Sequence, residues 1–123
     1  MAGETRDIKA RYIFIASLDV DPDKEDLFNE LYDTEHVPLL LKVPGVLSAR
    51  RCKAVQGSMA IAGGIVPLVA EGEPNYSAVY ELENAEVLTS DAWAKAADAG
   101  RWPAEIRPYI RARRHVLKKL IHP

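Results

Sequence analysis

The order in which strand-like and helix-like stretches follow one another constrains this chain more than any single residue does. Arg11-Tyr12-Ile13-Phe14-Ile15-Ala16-Ser17-Leu18 is dense in aromatic and β-branched residues and stops at Asp19, the profile of a buried strand. Asp21 before Pro22 predicts an N-cap with proline at the first helical position, and Leu27, Phe28 and Leu31 then recur at helical spacing as an inward stripe. Val46 to Val55 reads as a second strand, with Val46, Ser48, Arg50 and Cys52 on one face and Leu47, Ala49, Arg51 and Lys53 on the other. Tyr76 to Leu82 reads as a third. Asn84 is placed to cap a second helix whose inner face carries Leu88, Ala92, Trp93, Ala96 and Ala97, with Gly100 as its stop. Tyr109 to Lys118 completes the series as a fourth strand.

Strand, helix, strand, strand, helix, strand is the split βαβ arrangement, so the fold class expected is α+β and ferredoxin-like: one antiparallel sheet with both helices on one face. The other face then needs cover. Either Tyr12 and Phe14 or Ile13 and Ile15 would lie on it, an apolar patch too large for a monomer, and pairing of two sheets in a homodimer is the expected solution.

At 123 residues, 48% apolar and 28% charged, the chain makes a single domain spanning 1–123. The segment 57–74 breaks the pattern with glycines and prolines, yet Met59, Ile61, Ile65, Val66, Leu68 and Val69 are apolar for a loop. An arm or a hairpin turning at Gly63-Gly64 is expected there rather than a lid. The lone Cys52 cannot make an internal disulfide, and the first ten residues carry mixed charges without an apolar run, so a cytoplasmic protein without signal or membrane span is expected. Net charge is 16 − 18 = −2, against nucleic-acid binding. The RNA-recognition motif has the same element order, but Asn75-Tyr76-Ser77-Ala78-Val79-Tyr80 lacks its Lys/Arg-Gly-Phe-Gly/Ala-Phe strand. Acidic residues crowd positions 19–35 and basic ones 101–119, blocks expected to attract each other within the fold or across a dimer.

The stretch Leu31 to Val46 carries the chemistry. Pro38 lacks an amide hydrogen and its ring clashes with a helical carbonyl four residues back, so the helix is expected to end or kink near His36. Helical spacing would bring Tyr32 and Asp33 onto the face of His36 and turn Glu35 away. A histidine at a helix C-terminus sees the negative end of the peptide dipoles, which favours its charged form. Two readings stay open: a cap on the last carbonyls, or a general acid/base. No Cys or His pair has zinc spacing, and neither metal nor organic cofactor is expected.

Tyr32-Asp33-Thr34-Glu35-His36-Val37-Pro38-Leu39-Leu40, then Val43-Pro44-Gly45-Val46, Ser48-Ala49-Arg50-Arg51, Tyr80-Glu81-Leu82 and Ala92-Trp93 resemble the dimeric α+β barrel superfamily, within it the EthD-like proteins with a Glu-His-x-Pro turn. The resemblance implies the ferredoxin-like fold paired as a dimeric barrel and a ligand cleft between helices and sheet. It makes His36, Tyr32 and Trp93 cleft candidates. Such proteins include cofactor-independent monooxygenases, lactone isomerases, polyketide cyclases, haem-degrading enzymes and accessory proteins.

The function expected is that of a cofactor-independent enzyme, an isomerase, lyase or monooxygenase-like catalyst in the catabolism of aromatic compounds. It would transfer protons on an aromatic or cyclic, partly apolar substrate. His36 would be the acid/base, Asp33 would orient it, Tyr12, Tyr32, Tyr80, Trp93 and Trp102 would form or border the pocket, and one of Arg50 and Arg51, with Arg50 preferred, would hold an anionic group. The alternative is a non-catalytic binding or accessory dimer supporting a partner oxidase.

Overall fold

The computed structural model describes residues 12–68 and 71–122. The first ten residues, Arg11 at the head of the expected first strand, and Val69 of the apolar segment lie outside the described residues. The strands are β1 (Tyr12–Val20), β2 (Val46–Lys53), β3 (Gly57–Ile61), β4 (Gly64–Leu68), β5 (Tyr76–Leu82) and β6 (Ile110–Lys119). The helices are α1 (Glu25–Leu31), α2 (Val37–Leu41), α3 (Asp91–Ala97) and α4 (Trp102–Glu105), with single 3₁₀ turns at Pro22–Lys24, Ala85–Thr89 and Arg107–Tyr109.

Strands β2, β5, β1 and β6 form, in that order, an antiparallel sheet with helices over one face, the ferredoxin-like α+β architecture. Alternation along β5 sets the two faces: Tyr76, Ala78, Tyr80 and Leu82 are buried under the helices, while Ser77, Val79 and Glu81 are half-buried on the other side. Register with β1 puts Phe14, Ala16 and Leu18 on the helix side, which leaves Ile13 and Ile15 for the open face beside Val79 and Val116. The alternative left by the sequence thus resolves to the isoleucines. Polar cross-strand bonds share that open face, Ser17 Oγ to Ser77 Oγ at 2.8 Å and Ser48 Oγ donating to Glu81 Oε1 at 2.6 Å.

The core joins Leu18, Val20, Ala78, Tyr80 and Leu82 of the sheet to Phe28, Leu31, Leu40, Val87, Trp102 and Ile106 of the helical layer. Two caps differ from expectation. Asp21 makes no side-chain cap; its carboxylate instead pairs with Arg111 at 2.6 Å, one of the links between the acidic and basic blocks. Asn84 precedes only a 3₁₀ turn, and Ser90 caps α3, its hydroxyl accepting the Trp93 amide at 3.1 Å.

The apolar segment is a hairpin, β3 paired with β4, turning through Ala62 (φ 51) and Gly63 (φ 80), the two left-handed residues of a type I′ turn. Its register places Met59, Ile61, Val66 and Leu68 on one face, and all four are exposed.

Gly45 makes the connection from α2 into β2 possible. It sits at φ 94, and a Cβ there would overlap the Val87 side chain, while its carbonyl accepts the Glu83 amide at 2.9 Å. Both the left-handed backbone and the packing oppose a side chain. Gly45→Ala is therefore expected to cost about 2–4 kcal/mol, read as a lower urea midpoint at unchanged slope.

Candidate functional site

Pro38 does not stop the helix. Residues Tyr32–His36 form a π-helical turn in which the Val37 amide donates to the Tyr32 carbonyl five residues back, and helix continues to Leu41. A wider turn of this kind accommodates one extra residue per turn, so the proline ring and its missing donor fall where the ladder has already been reset. The expected end of the helix at His36 is corrected accordingly.

The same widening decides which neighbours His36 has. With more residues per turn, the position four back stays near its face while the position three back rotates away. Tyr32 lies edge-on to His36, ring centroids 5.3 Å apart. Asp33 points elsewhere: its side chain is 61% exposed and takes a 2.8 Å ion pair from Arg51. Asp33 therefore does not orient His36.

His36 itself is 8% exposed and stacks on Trp102, centroids 4.2 Å apart with planes 11° from parallel. Trp102 is held there from its own neighbour. Arg101, one residue before α4, donates its amide to Glu35 Oε1 at 3.1 Å and its Nε to Glu35 Oε2 at 2.8 Å. Glu35, turned away from His36 as its spacing predicts, thereby ties the helix carrying His36 to the one carrying Trp102. The clamp also holds the Glu35 carboxyl below the ordinary carboxylate range, the Arg101 amide bond contributing most.

A cavity of about 400 Å³ opens between helices and sheet. Its walls are Phe14, Ala16 and Leu18 of β1, Tyr80 of β5, Tyr32, His36 and Leu40 of the first helical segment, Trp93 and Ala97 of α3, Trp102, Arg107, Ile110, and Arg113 and His115 of β6. Phe14 stacks near Tyr80 (5.8 Å, 26°), and Trp93 meets both edge-on. Tyr32, His36, Tyr80, Trp93 and Trp102 thus meet where the sequence placed them. Tyr12 shares the face of Phe14 but lies outside the cavity, at the far end of β1 opposite Leu82 and Lys119. Arg50 lies on the open face, paired in register with Val79, and is no part of the pocket. The adjacent Arg51 takes the helix side, its guanidinium 4.4 Å from the Tyr32 ring centroid and donating to Asn29 Oδ1 at 2.7 Å.

Sequence reading missed Phe14, Arg107, Arg113 and His115. The strand register that brings β6 beside β1 sets His115 opposite Ala16 and Arg113 opposite Leu18, and no local pattern in either strand announces that pairing. The alternation of Arg111, Arg113 and His115 was the one available sign that basic side chains share a face of β6, although Arg114 and Lys118 lie on the other.

Electrostatics follow burial. The His36 pKa falls from 6.5 to about 4, first because burial penalises the imidazolium and second because of the nearby Arg107 guanidinium. The dipole effect expected to favour its charged form has no helix end there to act from. His115 is lowered too, by burial and then by Arg113. Burial raises the Tyr32 and Tyr80 phenols, and for Tyr80 the adjoining Tyr32 adds to the rise. At neutral pH the cavity therefore holds two neutral imidazoles, two protonated phenols and two guanidinium groups. Nδ1 of His36 is sealed from solvent and has no hydrogen-bond partner among the described residues, leaving Nε2 as the nitrogen able to meet a ligand. An unpartnered buried polar atom costs about 1–3 kcal/mol, an expense that invites a functional explanation. Among the described residues, no group of three or more His, Cys, Asp or Glu side chains is arranged to hold a metal ion, and no helix is long and apolar enough to cross a membrane.

No family model matches the sequence, and no curated protein is similar to it. Solved structures are similar in fold. An ethyl tert-butyl ether degradation (EthD) family protein from Bacillus halodurans superposes with TM-score 0.57 at 16% identity, covering 90% of this chain and 99% of that one. The haem degrader MhuD from Mycobacterium tuberculosis, with two haems bound in its active site, gives TM-score 0.57 at 18% identity over 91% and 97% of the chains. A putative antibiotic biosynthesis monooxygenase from Bacillus cereus gives 0.51 at 14% identity over 93% and 94%. At these identities the likeness establishes the fold alone, which is ferredoxin-like.

Because the His36 pKa is lower folded than unfolded, the unfolded chain binds more protons below pH 6.5. Stability is then fully present above about pH 6.5 and is lost as pH falls toward 4, by up to about 3 kcal/mol. Chemical denaturation at pH 7.5, 5.5 and 4.5 checks this: His36→Phe, which keeps the stack on Trp102, is expected to flatten the slope through that window.

Proposed function

We propose that the cavity is the binding site for a partly apolar, aromatic or cyclic small molecule, and that His36 moves a proton on it as a neutral general base. One observation carries the reading: a buried imidazole stacked on Trp102, with Nδ1 unpartnered, forms part of the wall of a roughly 400 Å³ aromatic cavity. With its proton on Nδ1, the imidazole presents the Nε2 lone pair to the ligand. A C–H beside a ligand carbonyl gives its proton to Nε2 and the electron pair stays on the ligand as an enolate; the imidazolium then returns the proton to another carbon, completing an isomerisation, or to a departing oxygen as the enolate pair forms a new C=C and the C–O bond breaks, completing an elimination. The raised phenols of Tyr32 and Tyr80 stay protonated, and the Tyr32 hydroxyl, which accepts from Tyr80, is suited to donate a hydrogen bond to the enolate oxygen. The apolar open face with Ile13, Ile15, Val79 and Val116 supports assembly as a homodimer, and the cytoplasm remains the compartment proposed.

The second reading is binding without turnover, as in an accessory protein. What favours it is the bareness of Nδ1: catalytic histidines commonly have their second nitrogen held by a carboxylate or carbonyl, and Asp33 is engaged with Arg51. Haem, which the neighbour MhuD binds, is one ligand to test under this reading, since a neutral imidazole can ligate iron.

Proton transfer is assayed without knowing the natural substrate by following deuterium uptake from D₂O into 1-tetralone and 2-tetralone by NMR. Wild type is expected to accelerate exchange next to the carbonyl, and His36→Phe to lose about 10²- to 10⁴-fold of that acceleration. The thermal midpoint of the variant is expected to be unchanged or higher, because its unpartnered nitrogen is gone. Saturable binding with exchange no faster than in buffer overturns the catalytic reading in favour of the accessory one. A Soret shift on titration with haemin, lost in His36→Phe, identifies porphyrin binding.

A further inference from the structure

The cavity is basic in a chain that is acidic overall. Among the described residues its charged and titratable wall consists of Arg107, Arg113, His36 and His115, joined by two phenols, and no carboxylate takes part. The net charge of the whole chain is −2, so this concentration of positive groups is local.

The arginines around it are not equivalent. Arg107 is tied down, its guanidinium paired with Asp98 at 2.8 Å and donating to the Ala97 carbonyl at 3.0 Å. Arg111 and Arg114, which flank the same stretch of β6, pair with Asp21 and Glu73. Arg51 and Arg101 pair with Asp33 and Glu35. Arg113 has no ion-pair partner among the described residues, although it is exposed on a chain rich in acids. Its register opposite Leu18 turns it to the helix-facing side of the sheet, alongside His115 on the edge strand, where both side chains are exposed members of the cavity wall.

We infer that Arg113 is the anion anchor of this cavity, and that its ligand is an amphipathic organic anion: an aromatic or cyclic body with a carboxylate or comparable oxyanion at the β6 edge. The assignment rests on the proposed reading of the cavity as a small-molecule site and deepens it. The apolar body lies between Phe14, Tyr80, Trp93 and Trp102, where stacking and exclusion of water favour a flat ring. The planar guanidinium donates two parallel hydrogen bonds to the oxygens of a carboxylate, a geometry that no neutral isostere satisfies. With Arg107 held by Asp98, Arg113 is the guanidinium left to do this. Bringing a negative charge into the cavity also offsets the positive surroundings of His36 and His115, so both imidazoles gain basicity when the ligand is bound.

The test compares 1-naphthoate with the neutral 1-naphthalenemethanol, followed by quenching of Trp93 and Trp102 fluorescence and by isothermal titration at low ionic strength. Wild type is expected to bind the carboxylate roughly 10- to 100-fold more tightly than the alcohol, the range of a charge-assisted hydrogen-bond pair. Arg113→Gln is expected to bring the carboxylate down to the affinity of the alcohol without moving the alcohol. Arg113→Lys recovers part of the preference, and Lys42→Gln, an equal charge change on an exposed helix end outside the cavity, leaves it intact. Equal binding of the two compounds by wild type, or a preference that survives in Arg113→Gln, overturns the anchor while the cavity stands as a ligand site. Binding of neither compound overturns the cavity reading itself, and the anchor with it.

Discussion

Everything distinctive about this molecule depends on how one helix passes a proline. An α-helical ladder cannot continue normally through Pro38, and the chain responds by widening the turn before it, Tyr32 to His36, instead of ending. The widened turn sets His36 inward, carries Asp33 outward to Arg51 and leaves Glu35 free to seize the residue in front of Trp102. A histidine side chain that a regular helix end would have shown to water is instead stacked and buried. Its protonation behaviour is then governed by desolvation, not by a helix dipole, which is why the ring is neutral at physiological pH.

The remainder of the site is a consequence of sheet register. β1 is central, with β5 on one side and β6 on the other, so its helix-facing residues Phe14, Ala16 and Leu18 set the floor between Tyr80 and the pair Arg113 and His115. The β5 side of that floor is buried, while Arg113 and His115 on edge strand β6 are exposed, which gives the cavity an aromatic interior and a basic rim. Such a gradient suits a molecule with two chemically different ends. Gly100, at φ 71, lets α3 turn into α4 close against Glu35, where a Cβ would crowd the carboxylate that secures Trp102.

Two surfaces stand apart from this arrangement. The open face of the sheet mixes isoleucine and valine with serine and charged residues, and the β3–β4 hairpin carries four exposed apolar side chains on one of its faces. Both lie away from the cavity residues. Exposed apolar side chains gathered on one face are the kind of surface on which protein contacts form.

Element order, the inward stripes and the turn residues made the ferredoxin-like fold legible from sequence, because strand and helix periods are local properties of neighbouring side chains. Tyr32, His36, Tyr80 and Trp93 were legible too, since each sits on the inward side of its own element, whereas Trp102 stood in a segment expected to be irregular and was a candidate only as an aromatic residue. What the sequence could not decide was anything that depends on one element's placement against another. Asp33 was misassigned because a π turn and an α turn differ only in hydrogen-bond offset, and the two cannot be told apart before the helix is packed. Arg50 and Arg51 alternate, so one of them had to face the helices, but the bulge in the β2 and β5 pairing chose Arg51. Arg113 and His115 entered the site only through pairing with β1, a contact between residues about a hundred positions apart. Periodicity thus settled the scaffold, and long-range register with burial settled which side chains meet and which carry charge.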